Sequence, residues 1–190
     1  MRSAYERAVL DVGTGDGRYV LEMAAACPDT LVVGLDANAG AMIEASRRAA
    51  RKPARGGLPN ALFVVAAAES LPFELEGAFD EVTVHFPWGS LLRGVTNAEG
   101  SILCGFSRVL KAGGSLHILL SITDREASAG LEPLTAKRLD WLRGAYATHE
   151  LDLIDARRAD EATIAASHST WAKRLGRERE VWSLLFRRCE

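Results

Sequence analysis

Short apolar runs alternate along the chain with segments whose apolar residues recur at helical spacing. Residues 8–12 form an apolar run that ends in Gly13-Thr14-Gly15-Asp16-Gly17, after which 18–26 reads as a helix stopped before Pro28. Residues 31–35 predict a second buried strand, closed by Asp36. Asn38 is placed to cap a helix that turns Ala41, Met42, Ala45 and Ala49 inward until Pro53. Further strands are expected at 62–67, 81–86 and 116–122, with a helix over 98–111 and Gly113 past its end. Residues 151–156 and 181–187 complete the set as late strands. Strands separated by helices of this length form an α/β fold with a doubly wound, mostly parallel sheet. A single domain over 1–190 is expected, with the stretch around 124–150 as a substrate-side insertion over the sheet's carboxyl edge.

Composition narrows the class. The chain has 190 residues, 48% of them apolar and 25% charged, which fits a globular domain and excludes disorder, collagen and coiled coil. Neither an 18-residue apolar window nor an apolar leader is present, so a cytoplasmic protein without membrane contact is expected. Cys27, Cys104 and Cys189 are odd in number and lack C-x-x-C spacing, so neither a disulfide framework nor a metal site is expected. The net charge of −2 hides an uneven distribution. Arg47, Arg48, Arg51, Lys52 and Arg55 crowd one short acid-free segment, and a second basic cluster surrounds Lys173, Arg174, Arg177 and Arg179. Such segments are either solvated helix ends or local faces for nucleic acid.

A doubly wound sheet binds its ligand where strand order reverses, at the carboxyl ends of the strands. Gly13-x-Gly15-x-Gly17 lies between a strand and a helix, where backbone can approach a ligand closely. A dinucleotide loop reads G-x-G-x-x-G and seats a pyrophosphate on the helix N-terminus. Here the spacing differs, and Asp11 and Asp16 supply carboxylates that a pyrophosphate would repel. A cationic ligand without phosphate is favoured, and S-adenosyl-L-methionine has an ammonium and a sulfonium. Asp36 is placed to accept from ribose hydroxyls, and Glu69 follows the third strand where adenine would lie.

Phe86-Pro87-Trp88-Gly89-Ser90 follows the fourth strand, where such enzymes present the target atom. Enzymes acting on an exocyclic amine often have Asp or Asn first here, to accept protons. Phe86 suits a nucleophile with a free lone pair, such as a ring nitrogen, so that catalysis is mostly alignment. Trp88 and Trp171 are either core residues or part of this site; Trp141 and Trp182 read as packing. His85, His117, His149 and His168 show neither metal nor catalytic spacing and receive no role.

Residues 10–17, 52–60, 66–72, 86–92 and 169–175 together resemble the aminoglycoside-resistance methyltransferases that modify N1 of adenine 1408 in 16S ribosomal RNA, the Kam and Npm group. The first motif, LDVGTGDG, is common to many methyltransferases. KPARGGLPN, AAAESLP, FPWGSLL and STWAKRL, in that order, are specific to this group. The resemblance implies that Asp11 and Gly13 meet the methionine portion of S-adenosyl-L-methionine, Asp36 the ribose, and Ala68 and Glu69 the adenine. It places Phe86, Ser90 and Ser169 at the cofactor and makes Trp88 and Trp171 the catalytic pair that sandwiches the extruded adenine. Two indole faces also suit a methylated, cationic ring. Arg51, Lys52 and Arg55 would touch RNA phosphates beside the site. Lys173, Arg174, Arg177 and Arg179 would hold the backbone around the flipped nucleotide. The implied partner is 16S rRNA within the 30S subunit, and the protein is expected to be a monomer.

Two departures stand out. Family members carry a further N-terminal segment thought to help docking, whereas here the first strand comes almost at once, so cofactor binding is expected to survive better than affinity for the small subunit. The stretch after Leu175 is also shorter and more acidic. Three other readings compete: a methyltransferase for a tRNA base or small molecule, a nicotinamide-dependent oxidoreductase, and a non-catalytic ribosome binder.

Overall fold

The computed structural model describes residues 5–128, 130–169 and 180–190. Strands β1 (Arg7–Val12), β2 (Thr30–Asp36), β3 (Ala61–Val65), β4 (Phe79–His85), β5 (Leu110–Leu120), β6 (Leu151–Arg158) and β7 (Trp182–Arg188) form one sheet. Their order is β3-β2-β1-β4-β5-β7-β6, and every pairing is parallel except those of β7, which runs antiparallel between β5 and β6. The expected doubly wound, mostly parallel α/β sheet is present, with its reversal of order between β1 and β4. Val9, Leu10, Val32, Val82 and Val84 are buried because helices cover both faces, which is why these strands read as near-continuous apolar runs.

The helices are α1 (Arg18–Ala26), α2 (Ala39–Ala49), α3 (Gly89–Thr96), α4 (Gly100–Val109), α5 (Asp124–Ser128), α6 (Ala136–Ala147) and α7 (Glu161–Ala166). The boundaries expected for α1 hold, and the Asn38 side chain caps α2 by accepting from the Gly40 N–H. Buried Asn60 pins the start of β3 to the turn between α1 and β2. Its Nδ2 shares two hydrogens among the carbonyls of Ala24, Cys27 and Thr30 at 2.9–3.1 Å.

Three expectations need correction. The helix expected over 98–111 ends at Val109, and β5 begins at once with Leu110, so Gly113 lies within the β5 segment rather than past a helix end. Phe86 stands outside β4, in left-handed backbone. The stretch around 124–150 contributes Leu131, Leu134, Leu142 and Tyr146 to the main core. Arg138 ties it further to the loop after α3, donating to Thr96 O at 2.7 Å and Asn97 Oδ1 at 3.0 Å. Trp141, expected to pack, is 45% exposed and lies under the Arg138 guanidinium, whereas Trp182 is half-buried under Arg158.

Candidate functional site

The carboxyl ends of β1, β2 and β4 open into a cavity of about 380 Å³. Its floor is the glycine loop. Gly13 N and Thr14 N donate to Leu35 O at 2.8 and 3.1 Å, which closes the loop over the end of β2. Gly13 has φ +76, and a Cβ there would come within 2.7 Å of the Leu91 side chain. Gly17, the N-cap of α1, has φ +69 and no room beside Phe63 and Ala45. Both positions demand glycine for backbone and space together.

Carboxylates dominate the polar lining. Asp36 accepts from Gly15 N at 2.9 Å through Oδ2 and from Asn38 N at 2.8 Å through Oδ1. A carboxylate offers about four lone-pair sites, so two remain for a diol in the cavity. Asp11 is 3% exposed and accepts from the Thr83 hydroxyl at 2.9 Å. Burial pushes its carboxyl up to about 6, against the hydroxyl hydrogen bonding that favours the anion. Thr14 Oγ1, near the same carboxylate, is buried and makes no hydrogen bond of ordinary geometry. Asp16 lines the loop side, and Ala68, buried, and Glu69, exposed, follow β3 in a 3₁₀ turn. An acid-lined pocket of this kind fits a ligand with a cation at one end and hydroxyls in the middle, and it disfavours phosphate.

The rim carries strain. Phe86 has φ +49 while its N–H donates to Leu119 O at 2.7 Å, and His168 also has φ +49. Left-handed backbone at a bulky residue costs energy and concentrates at functional sites. Both residues line the cavity, as do Ser90, on the first turn of α3, and Ser169. The Phe86 turn throws Trp88 outward: its neighbour Pro87 is buried, yet Trp88 itself is 73% exposed at the cavity mouth. A packing role for Trp88 is thereby excluded.

The cavity brings together Asp11, Gly13, Asp36, Ala68, Glu69, Phe86, Trp88, Ser90 and Ser169. Trp171, Lys173, Arg174, Arg177 and Arg179 lie outside the described residues. Arg51, Lys52 and Arg55 are exposed but are not beside the cavity. They sit on the turn after α2, an eleven-residue helix that begins at the cavity and runs about 16 Å away from it. Sequence reasoning missed Tyr19, His85 and His168, all of which line the cavity. Strand alternation was the available signal for His85, since Thr83 and His85 share the face of β4 opposite Val82 and Val84.

The 16S rRNA (adenine(1408)-N(1))-methyltransferase family model matches residues 1–189. A protein of that name from Streptoalloteichus tenebrarius is 38% identical over 190 residues, 97% of this chain and 87% of the relative. Among solved structures, the aminoglycoside resistance methyltransferase NpmB1 is 43% identical, with a TM-score of 0.84 over 98% of this chain and 89% of that one. A tryptophan-to-alanine mutant of the 16S rRNA (adenine(1408)-N(1))-methyltransferase from Catenulisporales acidiphilia, crystallised with cosubstrate SAM, is 36% identical. Its TM-score is 0.88, over 98% of this chain and 88% of that one.

Proposed function

This chain belongs to the 16S rRNA (adenine(1408)-N(1))-methyltransferase family, and we propose from that premise how its cavity carries out the reaction. It is an S-adenosyl-L-methionine-dependent enzyme that methylates N1 of adenine 1408 in 16S rRNA, the modification of aminoglycoside-resistance enzymes. The donor set fits the cofactor. Asp11 and the Gly13 backbone would hold the methionine end, Asp36 the ribose diol, and Ala68 and Glu69 the adenine, with Phe86, Ser90 and Ser169 closing the walls. When bound, the cofactor supplies an electrophilic methyl group on a sulfonium.

The chain's own work is alignment. Adenine N1 has a free lone pair, so no side chain needs to remove a proton, and an apolar Phe86 at this strand end is consistent with that. Trp88 would stack on the extruded base, paired with Trp171 on the other face. Stacking on an indole also favours the cationic product by about 1–2 kcal/mol. Basic residues Arg51, Lys52, Arg55, Lys173, Arg174, Arg177 and Arg179 would contact RNA backbone. The intact 30S subunit is the proposed substrate, and the enzyme acts as a cytoplasmic monomer without metal. Among the described residues no helix is long and apolar enough to cross a membrane.

One observation carries this reading: a large indole left 73% exposed at the mouth of an acid-lined cavity. Primer extension on 16S rRNA, after incubation of 30S subunits with enzyme and cofactor, tests it, because a methyl on N1 blocks pairing and stops the polymerase. Trp88→Ala is expected to lose the stop at least 100-fold in rate while cofactor affinity, by calorimetry, changes less than twofold. Asp36→Ala is expected to lose cofactor binding itself. A Trp88→Ala protein that methylates at the normal rate would overturn the stacking role.

A further inference from the structure

The cavity's methionine end contains a buried imidazole that the reaction above does not use. The His85 side chain is 9% exposed, and its Nδ1 is buried without a hydrogen-bond partner. The polar atom facing that nitrogen is Asp11 Oδ1, at 3.8 Å. Asp11 has the opposite deficit. It is a buried carboxylate with about four acceptor sites and a single donor of good geometry, Thr83 Oγ1. A ring nitrogen without a partner thus faces a carboxylate short of donors. Leaving buried polar groups unsatisfied is costly, so their juxtaposition is not what packing alone would select.

The ring is also held in place. Tyr19 packs on it edge to face at 4.6 Å, and His117 does so at 6.2 Å. His117 is itself anchored, with Nε2 at 2.8 Å from Ser183 Oγ. Strand register explains the row: Asp11 pairs with Thr83 across β1 and β4, and Thr83 with His117 across β4 and β5. A polar stripe therefore crosses the sheet from the cofactor end of β1 to β7, with His85 at its cavity end.

We propose that His85 is a positioning residue for cofactor binding: its Nδ1–H fixes and supports the ionised Asp11 carboxylate that receives the cofactor's ammonium. The proposal rests on the assignment of the cavity to S-adenosyl-L-methionine. The groups facing this pair are Asp36 at the end of β2, Tyr19 from α1, His117 from β5 and His168 after α7. Neither Tyr19 nor His117 supplies a cation at neutral pH. Burial holds both His85 and His117 down to about 4, so they stay neutral donors, and burial likewise keeps the Tyr19 phenol protonated. Of Asp11, Tyr19, His85 and His117, Asp11 is the one that changes charge between 4 and 7.

Calorimetric titration of S-adenosyl-L-methionine from pH 5 to 8 tests this, with wild type, His85→Phe and His85→Asn. Phe keeps the ring and its edge contact to Tyr19 but has no nitrogen, whereas Asn places an N–H near the position of Nδ1. For wild type, affinity is expected to fall as pH drops through about 6, where Asp11 takes up a proton. His85→Phe is expected to move the acid midpoint up by about one unit, which weakens binding about tenfold at pH 5 and far less at pH 8. His85→Asn is expected to restore both, and matched thermal melting separates these effects from misfolding. Wild-type binding with an unchanged midpoint and affinity in His85→Phe would overturn the role of His85 alone. A wild type that binds no cofactor at any pH would instead remove the cavity assignment, and this inference with it.

Discussion

Asp11 shows what a buried carboxylate at the proposed cofactor site costs in stability. Its carboxyl is raised from 3.8 to about 6 by burial, so the folded protein holds the acid form more tightly than the unfolded chain does. The sign follows directly. Ionised Asp11 costs stability above about pH 6, the cost shrinks as pH falls, and it is gone below the unfolded value near 4. A shift of about two units corresponds to about 3 kcal/mol. Asp11→Asn is therefore expected to melt about 5–10 °C higher at pH 8 and no higher at pH 3.5, while binding no cofactor. The new amide would find Thr14 Oγ1, buried and unpartnered, as an acceptor. An equal melting temperature at both pH values would contradict the burial argument. Asp11, Asp36 and Glu69 were legible in the sequence because each stands beside chain punctuation at a strand end. His85 was not, since its partners Asp11, Tyr19 and His117 come from three other elements and no spacing along the chain betrays them.

At the scale of elements, the sequence disclosed what periodicity and punctuation encode. Strands β1 and β2 and helix α1 fall within one residue of expectation because glycine and proline punctuate them, and Asn38 fixes the start of α2, which stops at Ala49 rather than running to Pro53. Helix α3 was hidden behind Phe86-Pro87-Trp88, which reads as loop, and α6 turns inward only Leu142 and Tyr146 as fully buried residues. Tertiary contacts, including the Tyr146 hydroxyl donating to Val95 O at 2.8 Å, hold α6 where its own pattern is weak. The basic turn after α2 has a different device. Gly57 N donates to Lys52 O at 3.2 Å and Leu58 N to Ala49 O at 2.9 Å, folding the turn back on the end of α2. A Cβ on Gly57 would overlap the Arg51 carbonyl oxygen, so Arg51, Lys52 and Arg55 are displayed on a fixed knob rather than a loose strand. Gly57→Ala is expected to destabilise the protein by about 2 kcal/mol and to weaken RNA binding, with cofactor affinity unchanged. Denaturant unfolding and a filter-binding titration check the two halves, and unchanged RNA affinity would mean that the turn's shape is immaterial.

Over the whole molecule, charge is segregated by distance. The cavity is lined by acids, while Arg51, Lys52 and Arg55 lie at the far end of α2, about 16 Å along the helix. With a net charge of −2, the protein has no global attraction for RNA, so binding must come from local basic patches. With the proposed roles, the bound RNA would span at least that distance between cavity and turn. Replacing Arg51, Lys52 and Arg55 together with Glu is accordingly expected to cut methylation of 30S subunits at least 100-fold. Cofactor affinity should stay within twofold, because none of the three lines the cavity. The salt dependence of 30S binding should also flatten, by about 2–3 in the log–log slope if each side chain neutralises one phosphate. Equal methylation by the triple variant and wild type would mean that the enzyme docks through other surfaces altogether. A loss of rate with an unchanged slope would assign these residues to orientation of the complex rather than to phosphate neutralisation.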